Sequence, residues 1–146
     1  MIIDIKYHDD KCKLTKGSEG AIAFDFRAHI NEPVTIKPGE MKMIPLGFSV
    51  DTKEPEVGMF LFIRSGMAAK HGLMLMNSVG VIDSDYRGEV AAMIYNTGVT
   101  GKDFVVNPYD RCGQLIFMSA VPVLLREVSK LNDTIRGTGG FGSTGQ

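Results

Sequence analysis

This sequence has little net charge, few cysteines, no long apolar run and no sustained helical period, and each scarcity removes a class of function. With 16 basic and 17 acidic residues, the formal net charge is −1 and the pI about 6.3. No global basic field invites nucleic acid, although a small anion held by local groups is compatible with that balance. No apolar run approaches the roughly 18 residues of a membrane span, so no membrane partner is expected. Met1-Ile2-Ile3-Asp4-Ile5-Lys6 alternates like a strand and lacks the charged head and long apolar centre of a signal peptide. Cys12 and Cys112 lie far apart and, with His8, His29 and His71, make no zinc-ligand spacing. Both cysteines read as structural thiols of a reducing compartment, which points to the cytoplasm.

What is present is a chain of 146 residues, 44% hydrophobic, the size of one domain with a sizeable core. Glycine and proline punctuate it at short intervals: Gly17, Gly20, Pro33, Pro38, Gly39, Pro45, Gly47, Pro55 and Gly58. Between these breaks lie β-prone runs, including Ile2 to Tyr7, Val34 to Ile36, Met41 to Ile44 and Met59 to Ile63. Short strands at close spacing imply an all-β sandwich, jelly roll or barrel. Met59 to Ile63 is apolar throughout and is expected to be covered on both faces.

That run stops at Arg64-Ser65-Gly66. Ser65 reads as the N-cap of one or two helical turns ending near Gly72, and a helix start beside an arginine is a natural anion site. Asn77 follows a second apolar run, where a buried amide would need partners. Further on, Gly80-Val81-Ile82-Asp83-Ser84-Asp85-Tyr86-Arg87-Gly88-Glu89-Val90 places two aspartates, an aromatic ring and an arginine between two strand-like runs. It reads as the polar tip of a hairpin, with Asp83 held at a sheet rim by the β-branched residues before it. Leu115 to Leu125 is the last strongly apolar run, broken by Pro122. The final stretch has glycines at 137, 139, 140, 142 and 145, with too few large apolar residues to fold alone. It lacks the Gly-Lys-Ser/Thr of a Walker A loop and reads as a lid that orders over a phosphate-bearing ligand.

Taken together, these segments resemble the trimeric dUTPase family. The resemblance runs through Ala21 to Ala28, Arg64-Ser65-Gly66, Asn77 through Gly88, Arg111 to Ile116 and Arg136 to Gly145, nearly the whole chain. Ala23 stands where the family usually has glycine, and Gly113 where it usually has alanine. The resemblance implies a distorted jelly-roll or β-clip barrel with one short helix. Residues 1–130 would form the β-rich domain, and residues 131–146 a mobile glycine-rich arm that closes over the site. It also implies a homotrimer with active sites shared between subunits.

The implied reaction is hydrolysis of dUTP to dUMP and diphosphate by in-line attack of water at the α-phosphorus. This would limit uracil in DNA and supply dUMP for dTMP synthesis. Asp83 would be the general base. Arg64, Ser65, Gly66 and Gln114 would hold the phosphates, with Arg136, Ser143, Thr144 and Gly142 of the arm closing on them. Magnesium would be held mainly by substrate phosphates, with Asp25 acting through water. Asn77, Gly80, Val81, Ile82 and Ala91 would frame the uracil, Tyr86 would pack under the deoxyribose, and Phe141 would stack on the base. Asp85 and Arg111 would brace the hairpin and the subunit interface by pairing. Two other readings compete with this one. A dCTP deaminase-like enzyme would share the fold, but base chemistry by glutamate is not offered where Asp83 and Tyr86 stand. A non-catalytic dUTP-sensing trimer is disfavoured because each catalytic position carries the expected residue type.

Overall fold

Short strands form where β-branched and aromatic residues lie between the glycine and proline breaks. The computed structural model describes residues 1–140. In chain order the strands are β1 (Asp4–Tyr7), β2 (Phe24–Arg27), β3 (Val34–Ile36), β4 (Met41–Pro45), β5 (Phe48–Asp51) and β6 (Val57–Phe62). One helix, α1 (Ser65–His71), is followed by β7 (Leu73–Leu75), β8 (Gly80–Ile82), β9 (Ala91–Asn96), β10 (Phe104–Val106) and β11 (Arg111–Ser119). The chain is therefore mostly β with one short helix. Among the described residues the ladders form two-stranded β1-β5 and β10-β3 ribbons, a four-stranded sheet β2-β11-β6-β8 and a three-stranded sheet β4-β9-β7. These ladders are separate, so the strands do not close into the expected barrel.

Strand alternation builds the core. Met59 and Leu61 of β6, Ile44 of β4, Ile94 of β9 and Leu115 of β11 point inward against Phe26, Phe48 and Ile36, all nearly inaccessible. Each such side chain contributes about 1.5–3 kcal/mol by leaving water. The expectation that Met59 to Ile63 is covered on both faces fails within one chain, because Phe60 and Phe62 are only half-buried. They lie opposite Ile116 and Gln114 of β11, and Phe60 also lies opposite Val81 of β8. The outer face of the four-stranded sheet is thus an apolar strip with a polar end at Gln114.

Inside, the fully buried Asn96 is satisfied. Its amide donates to the Ile36 and Lys102 carbonyls at 3.0 Å, and its oxygen accepts from the Gly98 N–H at 3.0 Å. Both cysteines are free and buried, and burial pushes the Cys112 thiol up to about 12, as suits an inert structural thiol.

The helix differs in one detail from the sequence reading. Arg64, in extended backbone, is its N-cap and offers no side-chain cap, while Ser65 is already the first helical residue. Gly72 ends the helix at φ 64°, where a Cβ would meet the Val99 side chain at 2.3 Å. At the other extreme, β11 stops at Ser119 rather than running on to Leu125. The Ala120 amide still donates to the Glu56 carbonyl at 2.7 Å. From there to residue 140 no helix or strand forms, and Val121, Val123, Leu124 and Leu125 are largely exposed.

Candidate active site

Strand β11 sits between β2 and β6 and places Gln114 opposite both Asp25 and Phe62. Arg64 to Gly66 follow β6 directly, so the ladder carries these groups to one rim. Asp25 is 8% exposed and lies between two guanidinium groups, Arg64 Nε at 3.4 Å and Arg111 Nη1 at 3.2 Å. The β2–β11 register slips between Arg111 and Gly113, a bulge that skips Cys112 and frees Arg111 to reach across. Gly113 is explained by its neighbour, because a Cβ there would meet the Phe26 ring at 2.0 Å. Arg64, Ser65, Gly66, Asp25, Arg111 and Gln114 line an open cavity of about 800 Å³, which Lys70 and Asp110 also reach. Three cations against two carboxylates, with N–H groups at the start of a helix, suit a polyanion such as a phosphate chain. Arg111 pairs here with Asp25 of the ladder, not with the segment after β8.

The segment after β8 is not a hairpin tip. β8 pairs with β6, whereas β9 pairs with β4 and β7, so residues 83–90 cross from one sheet to another. Anchors at both ends impose this path. The Arg87 guanidinium donates to the Ser84 carbonyl at 2.7 Å and pairs with Asp51 at 2.9 Å, and the Ser84 hydroxyl donates to the Pro55 carbonyl at 3.1 Å. Val90 is tied to Leu46 and Phe48 by backbone hydrogen bonds of 2.9 Å. Tyr86 folds back so that its hydroxyl donates to the Glu89 carbonyl at 3.0 Å, and its ring fills the space a Cβ on Gly88 would take. Asp83 is exposed, and among the described residues its carboxylate has no hydrogen bond or ion pair. Asp85 likewise makes no ion pair there, so the brace expected of it is supplied by Arg87. Asn77 is exposed, with no side-chain partner among the described residues.

Asn77, Gly80, Val81, Ile82, Asp83, Tyr86 and Ala91 line a second cavity of about 360 Å³. Met43, Met93 and Glu89, which sequence reasoning missed, line it as well. Met43 and Met93 stand opposite each other on β4 and β9. Alternation in Met41-Lys42-Met43 was the available signal, but it does not say which strand lies alongside.

The two cavities share no lining residue. Within one chain, the free carboxylate of Asp83 and the arginine-rich rim therefore belong to different clefts. Arg136 lines neither of them; its side chain donates to the Gly139 carbonyl at 3.0 Å within its own segment. Phe141, Gly142, Ser143 and Thr144 lie outside the described residues. Among the described residues no three His, Cys, Asp or Glu side chains are placed to hold a metal, and no helix is long and apolar enough to cross a membrane.

Comparison with known proteins adds an independent finding. A family model described as dUTPase matches residues 10–145. The deoxyuridine 5'-triphosphate nucleotidohydrolase of Desulfitobacterium hafniense is 45% identical over 129 residues, 86% of this chain and 82% of the relative. That of Burkholderia thailandensis is 38% identical over 149 residues, 100% of this chain and 99% of the relative. A substituted dUTPase of Staphylococcus bacteriophage 80alpha, solved with dUpNHpp, superposes with a TM-score of 0.84 at 20% identity, covering 99% of each chain.

Proposed function

The chain belongs to the dUTPase family and is an enzyme that hydrolyses dUTP, and we propose that it does so in sites assembled from the two clefts of neighbouring copies. The observation that carries this reading is the separation just described. One cleft has the cations for a triphosphate, the other has the unpaired carboxylate and a pocket of nucleoside size, and they share no wall. A second copy that sets one cleft against the other completes the chemistry. Two apolar surfaces support such an assembly: the strip of Phe60, Phe62, Ile116 and Val81, and the exposed run Val121 to Leu125. A homotrimer with a jelly-roll subunit is the arrangement we assign, and the cytoplasm its compartment.

In this reading Asp83 accepts a proton from a water that attacks the α-phosphorus in line, leaving dUMP and diphosphate. A carboxylate is a weak base, so positioning and charge neutralisation must supply much of the acceleration. Arg64 and the Ser65 and Gly66 N–H groups hold the phosphates, and Gln114 presents its amide from the ladder. Asn77 and the main chain of Gly80, Val81, Ile82 and Ala91 read the polar edge of uracil. Fixed donors and acceptors reject cytosine because a mismatch leaves buried polar groups unpaired. Tyr86 packs under the deoxyribose and leaves no room for a 2′-hydroxyl. Residues 131–146 act as the arm, with Arg136, Gly142, Ser143 and Thr144 closing on the phosphates and Phe141 on the base.

Magnesium fits this donor set as an ion carried by the substrate. Both oxygens of Asp25 already face arginines, and Mg²⁺ is commonly held by phosphates with one or two carboxylates, several waters remaining. Asp25 would contact it through water, and when bound it would neutralise charge along the phosphate chain.

The test is diphosphate release from dUTP by two variants, Asp83→Asn and Arg64→Ala, alone and co-expressed. Each alone should lose about a hundredfold to ten-thousandfold in turnover. Co-expression should restore part of it, because some interfaces join an intact Asp83 to an intact Arg64. No recovery in mixed assemblies would place both groups in one subunit's site and sink the shared arrangement.

A further inference from the structure

Between β4 and β5 the backbone makes an extra step at Gly47. Leu46 N–H donates to the Val90 carbonyl and Val90 N–H to the Phe48 carbonyl, both at 2.9 Å, so the Gly47 amide is turned aside from that ladder. Only glycine suits the place: φ is 74°, and a Cβ would meet Cys12 at 2.7 Å and His29 at 3.1 Å. The Gly47 N–H would be left without an acceptor but for Glu89, whose Oε1 takes it at 2.8 Å. The same oxygen lies 2.7 Å from His29 Nδ1. Since a carboxylate only accepts, His29 donates through Nδ1 whether its ring is neutral or charged. The Glu89 side chain is 35% exposed and that of His29 31%, so both are partly withdrawn from solvent.

Glu89 faces the second cleft as well, and its carbonyl receives the Tyr86 hydroxyl at 3.0 Å. One residue therefore joins two attachments, a side chain locked by His29 and Gly47 and a main chain that locks Tyr86. We propose that His29 and Glu89 form a strut that positions Tyr86, and that this strut sets how strictly the cleft excludes a 2′-hydroxyl. Both are positioning residues, since neither is assigned a contact with the reacting atoms. The proposal rests on the reading of this cleft as the nucleoside site. His29 lies sixty positions from Glu89, and its own segment is held by a hydrogen bond from His29 N–H to the Pro45 carbonyl at 2.8 Å. The strut thus spans from the end of β2 to the crossing segment.

The test compares His29→Ala and His29→Asn with the parent chain on dUTP and UTP. Loss of a hydrogen bond to a carboxylate should raise KM for dUTP about tenfold in His29→Ala, with kcat within about twofold. The preference for dUTP over UTP should narrow by about the same factor. His29→Asn, whose amide can stand in for Nδ1–H, should restore most of both. A His29→Ala enzyme with unchanged KM and unchanged preference would overturn the proposal, as would an equal fall in kcat on both nucleotides. Amide exchange in the nucleotide-free protein tests the strut apart from what the cleft binds. The Gly47 N–H should exchange about tenfold faster in His29→Ala, and no acceleration would overturn the strut itself. Should His29→Ala fail to fold, Glu89→Ala removes the shared acceptor and gives the same readouts. A parent enzyme indifferent to the 2′-hydroxyl, with the exchange effect intact, would instead overturn the sugar role assigned to Tyr86.

Discussion

Two aspartates at the candidate site are held in opposite ways. Asp25 lies within the β2–β11 ladder, 8% exposed, with one arginine on each oxygen. Asp83 stands at the start of the crossing segment, exposed, with no partner among the described residues. A carboxylate between two guanidinium groups is held in one orientation by them, whereas an unpaired one is left open to water. The same side chain is thus held fast in one cleft and left unpaired in the other, and the surrounding backbone makes the difference. The ladder fixes Asp25 by register, whereas residues 83–90 are fixed by side-chain ties from Arg87, Ser84 and Tyr86.

Exchanging carboxylate for amide at each position separates the two roles. Asp25→Asn should lower kcat/KM by about a hundredfold, because Arg64 and Arg111 lose the group that orients them. It should also cost about 1–3 kcal/mol of stability, since the amide cannot satisfy both buried contacts. Asp83→Asn should lose turnover with its urea midpoint unchanged at equal protein concentration. An Asp25→Asn enzyme of normal stability would break the comparison, because the ladder would then not depend on that pairing.

A smaller effect is expected one step behind Asp25. Gly113→Ala drives a methyl into the Phe26 ring, where the nearest atom would be 2.0 Å away. Overpacking of this kind costs about 1–3 kcal/mol, read as a lowered urea midpoint. Pairing it with Phe26→Leu should recover most of that loss. Failure of the double variant to recover would show that the bulge at Arg111 to Gly113, rather than the ring, requires glycine.

This pair also shows what a sequence makes legible and what it hides. Strands β1, β3, β4 and β6 fall within a residue or two of the runs marked by glycine and proline, because alternation and breaks are local properties. Asp25, Arg64, Asp83 and Gln114 stand in compact motifs, and the ladder gathers three of them, Asp25, Arg64 and Gln114, around one cavity. Hidden were relations between distant segments. Val81 and Val90 look like two arms of one hairpin, yet their strands belong to different sheets, and only the ties to Asp51 and Phe48 decide it. Nothing beside Gly113 in the chain announces the Phe26 ring that packs against it. His29 carried no local pattern at all, because its partner Glu89 lies far along the chain. Ser65 had the composition of a cap, but the cap falls one residue earlier, at Arg64.

The support of the Asp25 cleft extends into a third layer, and there the expected effect is smallest. Arg27 of β2 donates to the Tyr109 carbonyl at 3.0 Å, and Tyr109 N–H donates to the Ala28 carbonyl at 2.8 Å, so this turn steadies the end of the ladder. Tyr109 has φ 64°, unusual for a tyrosine, and its hydroxyl donates to Asp9 at 2.9 Å. The Asp9 carboxyl is held below its ordinary value of 3.8 by the Lys11 backbone N–H, then by the Tyr109 hydroxyl. A carboxyl depressed in the folded state stabilises above its unfolded value, and that contribution is lost as pH falls through the lower folded value. Asp9→Asn should therefore lower the urea midpoint slightly at neutral pH. The gap from the parent chain should close as the pH drops below about 4. A gap that persists at low pH would assign the loss to geometry at the turn rather than to the charge of Asp9. The ladder site would then rest on packing down to its outermost support.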